Sequence, residues 1–146
     1  MFTWEKVKDF EDTYLEYEKE GKVARVVLNK PEFLNAVGFG SVMHFTDAFQ
    51  IADEDENIEV IIMKGNGRAF GSGAYMGPGG LGEQYGRNPT LRHRLYLDRH
   101  TPDHEKVEFY SKKATIAQVH GYAVGAHFRI TFYADMVIAA QGTGFH

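Results

Sequence analysis

Three short and largely apolar segments, residues 60–63, 115–119 and 136–140, place the strongest constraint on the fold. Apolar segments of this length are typical of strands buried on both faces of a parallel sheet. Before the first of them, residues 41–54 carry apolar side chains at helical spacing, with Ser41 as a plausible N-cap. Residues 23–28 form a candidate strand before that helix. This strand–helix–strand order predicts an α/β fold.

Further elements complete the predicted domain, which covers residues 14–146. Residues 14–18 and 23–28 read as a hairpin turning at Gly21, whereas residues 1–13 read as a polar lead-in. Helices are also predicted over residues 91–99, where the helix ends before Pro102, over 103–113 and over 125–133.

Composition excludes several classes of protein. Sixteen Lys and Arg against twenty Asp and Glu argue against a nucleic-acid partner. Without cysteine there is no disulfide framework, no thiolate nucleophile and no cysteine-based zinc site. His93, His100 and His104 read as solvated side chains, so we expect no metal. No apolar run is long enough to span a bilayer and no signal peptide is visible, so we expect no membrane partner and a cytoplasmic location.

Two glycine-rich segments carry the candidate chemistry. One follows the predicted strand at residues 60–63 and runs to Ala74, and the other follows residues 115–119 and runs to Ala126. Glycine permits sharp turns and close approach of a ligand to the backbone. Backbone N–H groups at such turns can stabilise an oxygen that gains negative charge, each for about 3 kcal/mol of barrier. The alternative interpretation is that these glycines only make tight turns.

The same segments resemble motifs of the crotonase (enoyl-CoA hydratase/isomerase) superfamily. Residues 65–75, Gly-Asn-Gly-Arg-Ala-Phe-Gly-Ser-Gly-Ala-Tyr, are similar to the family run G-x-G-x-A-F-C-A-G-A-D. Residues 120–126 resemble N-G-x-A-x-G-G-G, residues 29–36 resemble N-R-P-x-x-x-N-A, and residues 134–139 resemble C-D-I-x-I-A. The four matches occur in the family's order and spacing, which makes them far more specific together than singly.

The resemblance implies the N-terminal half of a crotonase-like spiral of ββα units, a truncated form of the family's longer chain. It implies an acyl-CoA substrate held against an oxyanion hole, with coenzyme A as part of the substrate and no separate cofactor. Ala74 and Ala126 align with the two amide donors of that hole. Tyr75, Met76 and Gly77 would lie along the CoA moiety. A full-length member would be a homo-oligomer, a trimer or a hexamer.

Departures from the family pattern leave the reaction open. Arg129 stands where hydratases have a glutamate, and a guanidinium stays protonated and cannot act as a base. Tyr75 replaces the usual aspartate, and the second glutamate would come after the last residue, His146. His127, beside the second donor, is a candidate general acid or base, or alternatively a residue that caps or packs on its short helix.

Two functions from different classes follow. The first is an acyl-CoA enzyme of the hydratase/isomerase type, or a hydrolase, isomerase or decarboxylase using the same hole. The second is a non-enzymatic acyl-CoA binder or oligomer subunit that has lost its catalytic carboxylates. Either way, the half-length resemblance predicts exposed apolar surface where the remainder of a family core would pack.

Overall fold

A six-stranded sheet organises the molecule in a computed structural model, which describes residues 3–9, 15–78, 80, 83, 90–100 and 104–146. Its strands lie in the order β1, β2, β3, β4, β5 and β7, and β6 and β8 form a separate parallel pair. The strands are β1 Glu5–Asp9, β2 Leu15–Glu20, β3 Val23–Leu28, β4 Val60–Gly65, β5 Ala114–Val119, β6 Tyr122–Ala123, β7 Met136–Ala139 and β8 Gly144–Phe145. The helices are α1 Phe39–Glu54, α2 Leu91–His100, α3 His104–Phe109 and α4 Ala126–Tyr133, with a 3-10 turn at Pro31–Phe33.

The first three strands form an antiparallel meander. The predicted hairpin is confirmed, since β2 pairs with β3 from Leu15 opposite Leu28 to Glu20 opposite Val23. Gly21 adopts a left-handed φ of 54° in the turn. The polar lead-in contributes β1, which pairs antiparallel with β2. Its composition did not indicate a strand because an edge strand exposed to solvent needs no apolar run.

The crossover from β3 through α1 to β4 is also confirmed, because β3 and β4 pair in parallel. Helix α1 buries one face, on which the Phe45 and Phe49 rings lie 4.8 Å apart. The predicted N-cap is wrong. The helix begins at Phe39 after an extended Gly38, so Ser41 lies inside the first turn and is buried.

The predicted burial of the three apolar segments on both faces is correct only in part. Ile61 and Met63 of β4 are buried, whereas Val60 and Ile62 are half-buried, and β5 alternates in the same manner. All four residues of β7 are exposed, so the predicted buried strand at residues 136–140 is wrong in its burial. The reason is position: among the strands that the structure describes, β7 lies at the edge of the sheet and pairs only with β5.

Apolar surface is therefore exposed, as the half-length resemblance predicted. On β7, Met136 is 55% and Ile138 54% exposed, and on α4 Phe132 is 70% exposed. The predicted helices at residues 91–99 and 125–133 are confirmed within one residue at each end. The helix predicted over 103–113 is shorter, since α3 ends at Phe109 and residue 103 lies outside the described residues. No helix in the described part of the chain is long and apolar enough to cross a membrane.

Candidate active site

The two glycine-rich segments leave neighbouring parallel strands at the same edge of the sheet and join there. We call residues 66–75, after β4, the first loop, and residues 120–125, after β5, the second loop. The amide of Phe70 donates to the carbonyl oxygen of His120 at 2.9 Å, and the amide of Gly71 donates to that of Tyr122 at 2.9 Å. In return, the amide of Val124 donates to the Gly71 carbonyl oxygen at 3.0 Å. The loops therefore form one backbone unit.

A buried asparagine holds the first loop from below. The Asn35 Nδ2 group donates to the carbonyl oxygens of Asn66, Ala69 and Phe70 at 3.0, 2.9 and 3.2 Å. Its Oδ1 accepts the Lys30 amide at 2.8 Å. These carbonyl groups turn inward where no strand pairs with them, and the asparagine amide replaces the missing partner. In the sequence, Asn35 stands out only as part of the motif at residues 29–36, which does not show this role.

Ala74, the first candidate donor, has its amide directed away from Val37, its neighbour in the backbone. Val37 pairs with it in a parallel bridge, in which the Val37 amide donates to Gly73 and the Tyr75 amide donates to Val37, at 2.9 and 2.7 Å. In such a bridge the N–H group of the middle residue points to the opposite side. Within the described part of the chain, no hydrogen-bond acceptor takes the Ala74 amide.

Ala126, the second candidate donor, is the first residue of α4. Gly125 precedes it with a left-handed φ of 55°, and Gly73 precedes Ala74 with a φ of 94°. The two turns lie against each other, because a Cβ atom on Gly73 would lie 3.8 Å from the Ala126 nitrogen. The Ala126 amide, like that of Ala74, has no acceptor among the described residues. The structure thus brings the two candidate donors together beside the positive end of a helix.

His127 lies next to Ala126 but faces the protein interior. Its side chain is 0% exposed. The Gly73 amide donates to its Nδ1 atom at 2.9 Å, and the ring meets the Phe70 ring edge-on with centroids 5.9 Å apart. Gly71 is required beneath it, because a Cβ atom there would lie 2.0 Å from the ring. The arrangement matches the packing alternative, and the hydrogen bond to Gly73 is a contact that no local sequence pattern indicated.

The three residues proposed to follow the CoA moiety continue from Ala74 along the surface. Tyr75 is half-buried and its ring packs edge-on against Phe33 at 5.9 Å. Met76 is 70% exposed. A Cβ atom on Gly77 would lie 2.5 Å from the Tyr75 hydroxyl oxygen, so that hydroxyl group rests on the bare backbone of Gly77.

A small apolar cavity adjoins Ala126. Its volume is about 10 Å³, about the space of one water molecule. Its walls are Leu28, Val37, Ser41, Val42, Phe45, Ala126 and Ile130. The Ser41 hydroxyl group is buried here and has no hydrogen-bond partner among the residues the structure describes. This space lies between α1, α4 and the end of β3.

The first loop carries one charged side chain, Arg68, which is exposed. Arg129 is exposed on α4, one turn beyond Gly125. The described side chains contain no group of three His, Asp or Glu residues that could hold a metal ion, and the His100 and His104 side chains lie outside that description. Glu108 has a pKa raised to about 9, first by burial and then by the charge of Asp135. Glu108 lies towards the opposite end of the strands from the two loops. Asp135, whose charge acts on Glu108, accepts hydrogen bonds from Thr115 at the start of β5.

This combination of loops defines an α/β protein whose candidate site is built from backbone amides rather than from charged side chains. The family model for enoyl-CoA hydratase/isomerase matches residues 18–146. The chain belongs to that family.

Individual relatives agree with this assignment. A Dictyostelium discoideum protein named "Probable enoyl-CoA hydratase, mitochondrial" is 30% identical over 85% of this chain and 42% of its own length. An enoyl-CoA hydratase structure from Geobacillus kaustophilus superposes with a TM-score of 0.77 at 26% identity, over 91% of this chain and 48% of that one. An enoyl-CoA hydratase/carnithine racemase structure from Magnetospirillum magneticum superposes with a TM-score of 0.80 at 22% identity, over 96% of this chain and 49% of that one. It shows the shared fold. The chain spans about half the length of the relatives it matches.

Proposed function

We propose that this chain binds an acyl-CoA thioester and stabilises the enolate formed from it, with the amides of Ala74 and Ala126 as the two donors. The observation that carries the proposal is the joining of the two loops. Gly73, the residue before the first donor, lies so close to the second donor that a Cβ atom added to it would be 3.8 Å from the Ala126 nitrogen. Both amides lack an acceptor in the part of the chain described here. An oxyanion needs donors that are aimed before the reaction begins.

The chemistry assigned to the chain's own residues is electrostatic. Removal of the α-proton of a thioester moves negative charge onto its carbonyl oxygen. Two amides about 3 Å from that oxygen lower the energy of the enolate, and the N-terminal end of α4 adds a favourable dipole. Tyr75, Met76 and Gly77 continue along the surface from Ala74 and are proposed to contact the CoA moiety. Hydrolase, isomerase and decarboxylase reactions can use the same donors, so the hole defines the intermediate rather than the product.

Proton transfer by His127 stays a prediction. Its burial and its bond to Gly73 support a different role, which is argued below. A second function, acyl-CoA binding without turnover, is favoured by Arg129, which holds the position of a hydratase glutamate and carries a cationic side chain. A homo-oligomeric assembly, trimer or hexamer, is proposed on the family resemblance alone.

Ala126→Pro tests the oxyanion hole. Proline removes the amide hydrogen, and the first position of a helix is the place where a helix tolerates proline best. We expect α-proton exchange of butyryl-CoA in D2O, followed by mass spectrometry, to fall by about 100-fold or more. Ala126→Gly is the matched control, because it keeps the donor and should stay within about tenfold of the parent.

Binding of butyryl-CoA, measured by calorimetry on the same proteins, separates the two functions. Binding together with exchange supports the enzyme, and binding without exchange in the parent supports the binder. If Ala126→Pro keeps the parent's circular dichroism spectrum and exchanges at the parent's rate, the hole does not lie at this position.

A further inference from the structure

We propose that His127 is a positioning residue, whose Nδ1 atom fixes the spacing between the two proposed donors by holding the Gly73 amide. The inference rests on the proposed function and adds a residue to it. The bond from the Gly73 amide to His127 Nδ1 measures 2.9 Å and joins positions 54 residues apart in the sequence. Gly73 is the residue before the first donor, and His127 is the residue after the second. The bond therefore spans the hole on its inner side.

The histidine ring is buried against the first loop. It is 0% exposed, it lies over the bare Gly71 backbone, and its edge-on contact with Phe70 has an interplanar angle of 86°. Phe70 and Gly71 belong to the first loop, whereas His127 belongs to α4. A displacement of the helix start would therefore have to move the ring, and the ring would move the first loop. A hole requires this coupling when one donor lies in the first loop and the other at the start of α4.

The direction of the bond determines the form of the ring. An amide N–H group donates, so Nδ1 must present its lone pair, and the neutral ring then carries its proton on Nε2. A buried ring whose Nδ1 is engaged by the backbone is suited to orienting that backbone. A general base, in contrast, must reach the proton that it removes, directly or through one water molecule.

Asparagine and leucine distinguish positioning from proton transfer. In His127→Asn, the Oδ1 atom takes the place of Nδ1 on Cγ and can accept the Gly73 amide hydrogen, but the asparagine side chain cannot transfer protons. His127→Leu branches at the same atom as asparagine but has no acceptor, and both variants lack the Cε1 and Nε2 atoms of the ring. We expect the asparagine variant to keep α-proton exchange of butyryl-CoA within about tenfold of the parent, and the leucine variant to lose about 100-fold, the effect of one misplaced donor.

A measurement without a thioester checks the same bond. Hydrogen exchange of the Gly73 amide, followed by nuclear magnetic resonance, should remain slow in the parent and in His127→Asn and should accelerate at least about tenfold in His127→Leu, because a hydrogen bond worth about 1.4 kcal/mol is lost. The parent's ring should show Nε2 protonated and Nδ1 unprotonated in its nitrogen chemical shifts.

The outcomes separate this inference from the proposed function. If the parent does not exchange the thioester α-proton, the enolate function fails, and Gly73 protection still decides whether His127 holds the loop. If both variants lose exchange equally while Gly73 stays protected in the asparagine variant, the ring transfers protons and positioning is wrong. If Gly73 protection is equal in the leucine variant and the parent, the bond does not hold the loop and the inference is overturned.

Discussion

The carboxyl group of Glu108 lies in surroundings that disfavour its charged form. Helix α3 packs against α1 and α4, and it buries this side chain to 2% exposure. Among the described residues neither carboxyl oxygen has a hydrogen-bond partner, and Asp135 adds a like charge nearby. Burial first, and Asp135 second, raise the pKa of Glu108 from 4.5 to about 9. The folded protein therefore holds this residue as a neutral acid at pH 7.

The pKa difference makes stability fall as the pH rises. Below pH 4.5 both the folded and the unfolded chain keep the proton, and Glu108 then costs nothing through titration. Between pH 4.5 and about 9 only the unfolded chain loses the proton, so each pH unit lowers the free energy of unfolding by about 1.4 kcal/mol. At pH 7 the loss amounts to about 3 kcal/mol, a large part of the stability of a typical domain. Above pH 9 the loss levels off.

Glu108→Gln removes this titration and keeps the shape of the side chain. Urea unfolding followed by circular dichroism should show the variant gaining on the parent by about 4 kcal/mol between pH 5 and pH 8. The comparison cancels the other titrating groups, which are the same in both proteins. Glu56→Gln, at an exposed position, is the matched control and should give no such gain. Parallel stability curves for Glu108→Gln and the parent across this pH range would refute the reasoning.

Two further perturbations test other parts of the structure. Asn35→Asp keeps the acceptor for the Lys30 amide but removes the three hydrogen bonds that Asn35 donates to the first loop. We therefore expect urea unfolding to show that the free energy of unfolding falls by about 3 kcal/mol or more. A fall of less than about 1 kcal/mol would contradict the view that Asn35 holds this loop. Ile138→Lys places a charge on the exposed edge strand β7. It should reduce binding of an apolar dye and change the free energy of unfolding by less than about 0.5 kcal/mol. A large loss of stability would mean that β7 is buried in solution.

Local patterns in the sequence were sufficient for the order of elements and for the family. The hairpin, the β3–α1–β4 crossover and helix α4 follow from apolar periodicity and from glycine, which act over a few residues. The four motifs predicted the crotonase-like resemblance because they occur together in one order. The motifs also placed Ala74 in the first loop and Ala126 directly after the second loop, and the structure joins these two loops.

Burial and long-range contacts required the tertiary structure. The same apolar pattern alternates between buried and half-buried residues in β4 and is exposed throughout β7, because burial depends on the neighbours of a strand in the sheet and not on the strand itself. The bond from Gly73 to His127 joins residues far apart in the chain, so no local signal could show that the ring accepts an amide rather than facing a ligand. Glu108 reads as an ordinary charge on a short helix, and only the packing of α1 and α4 around it removes the water that would keep it ionised.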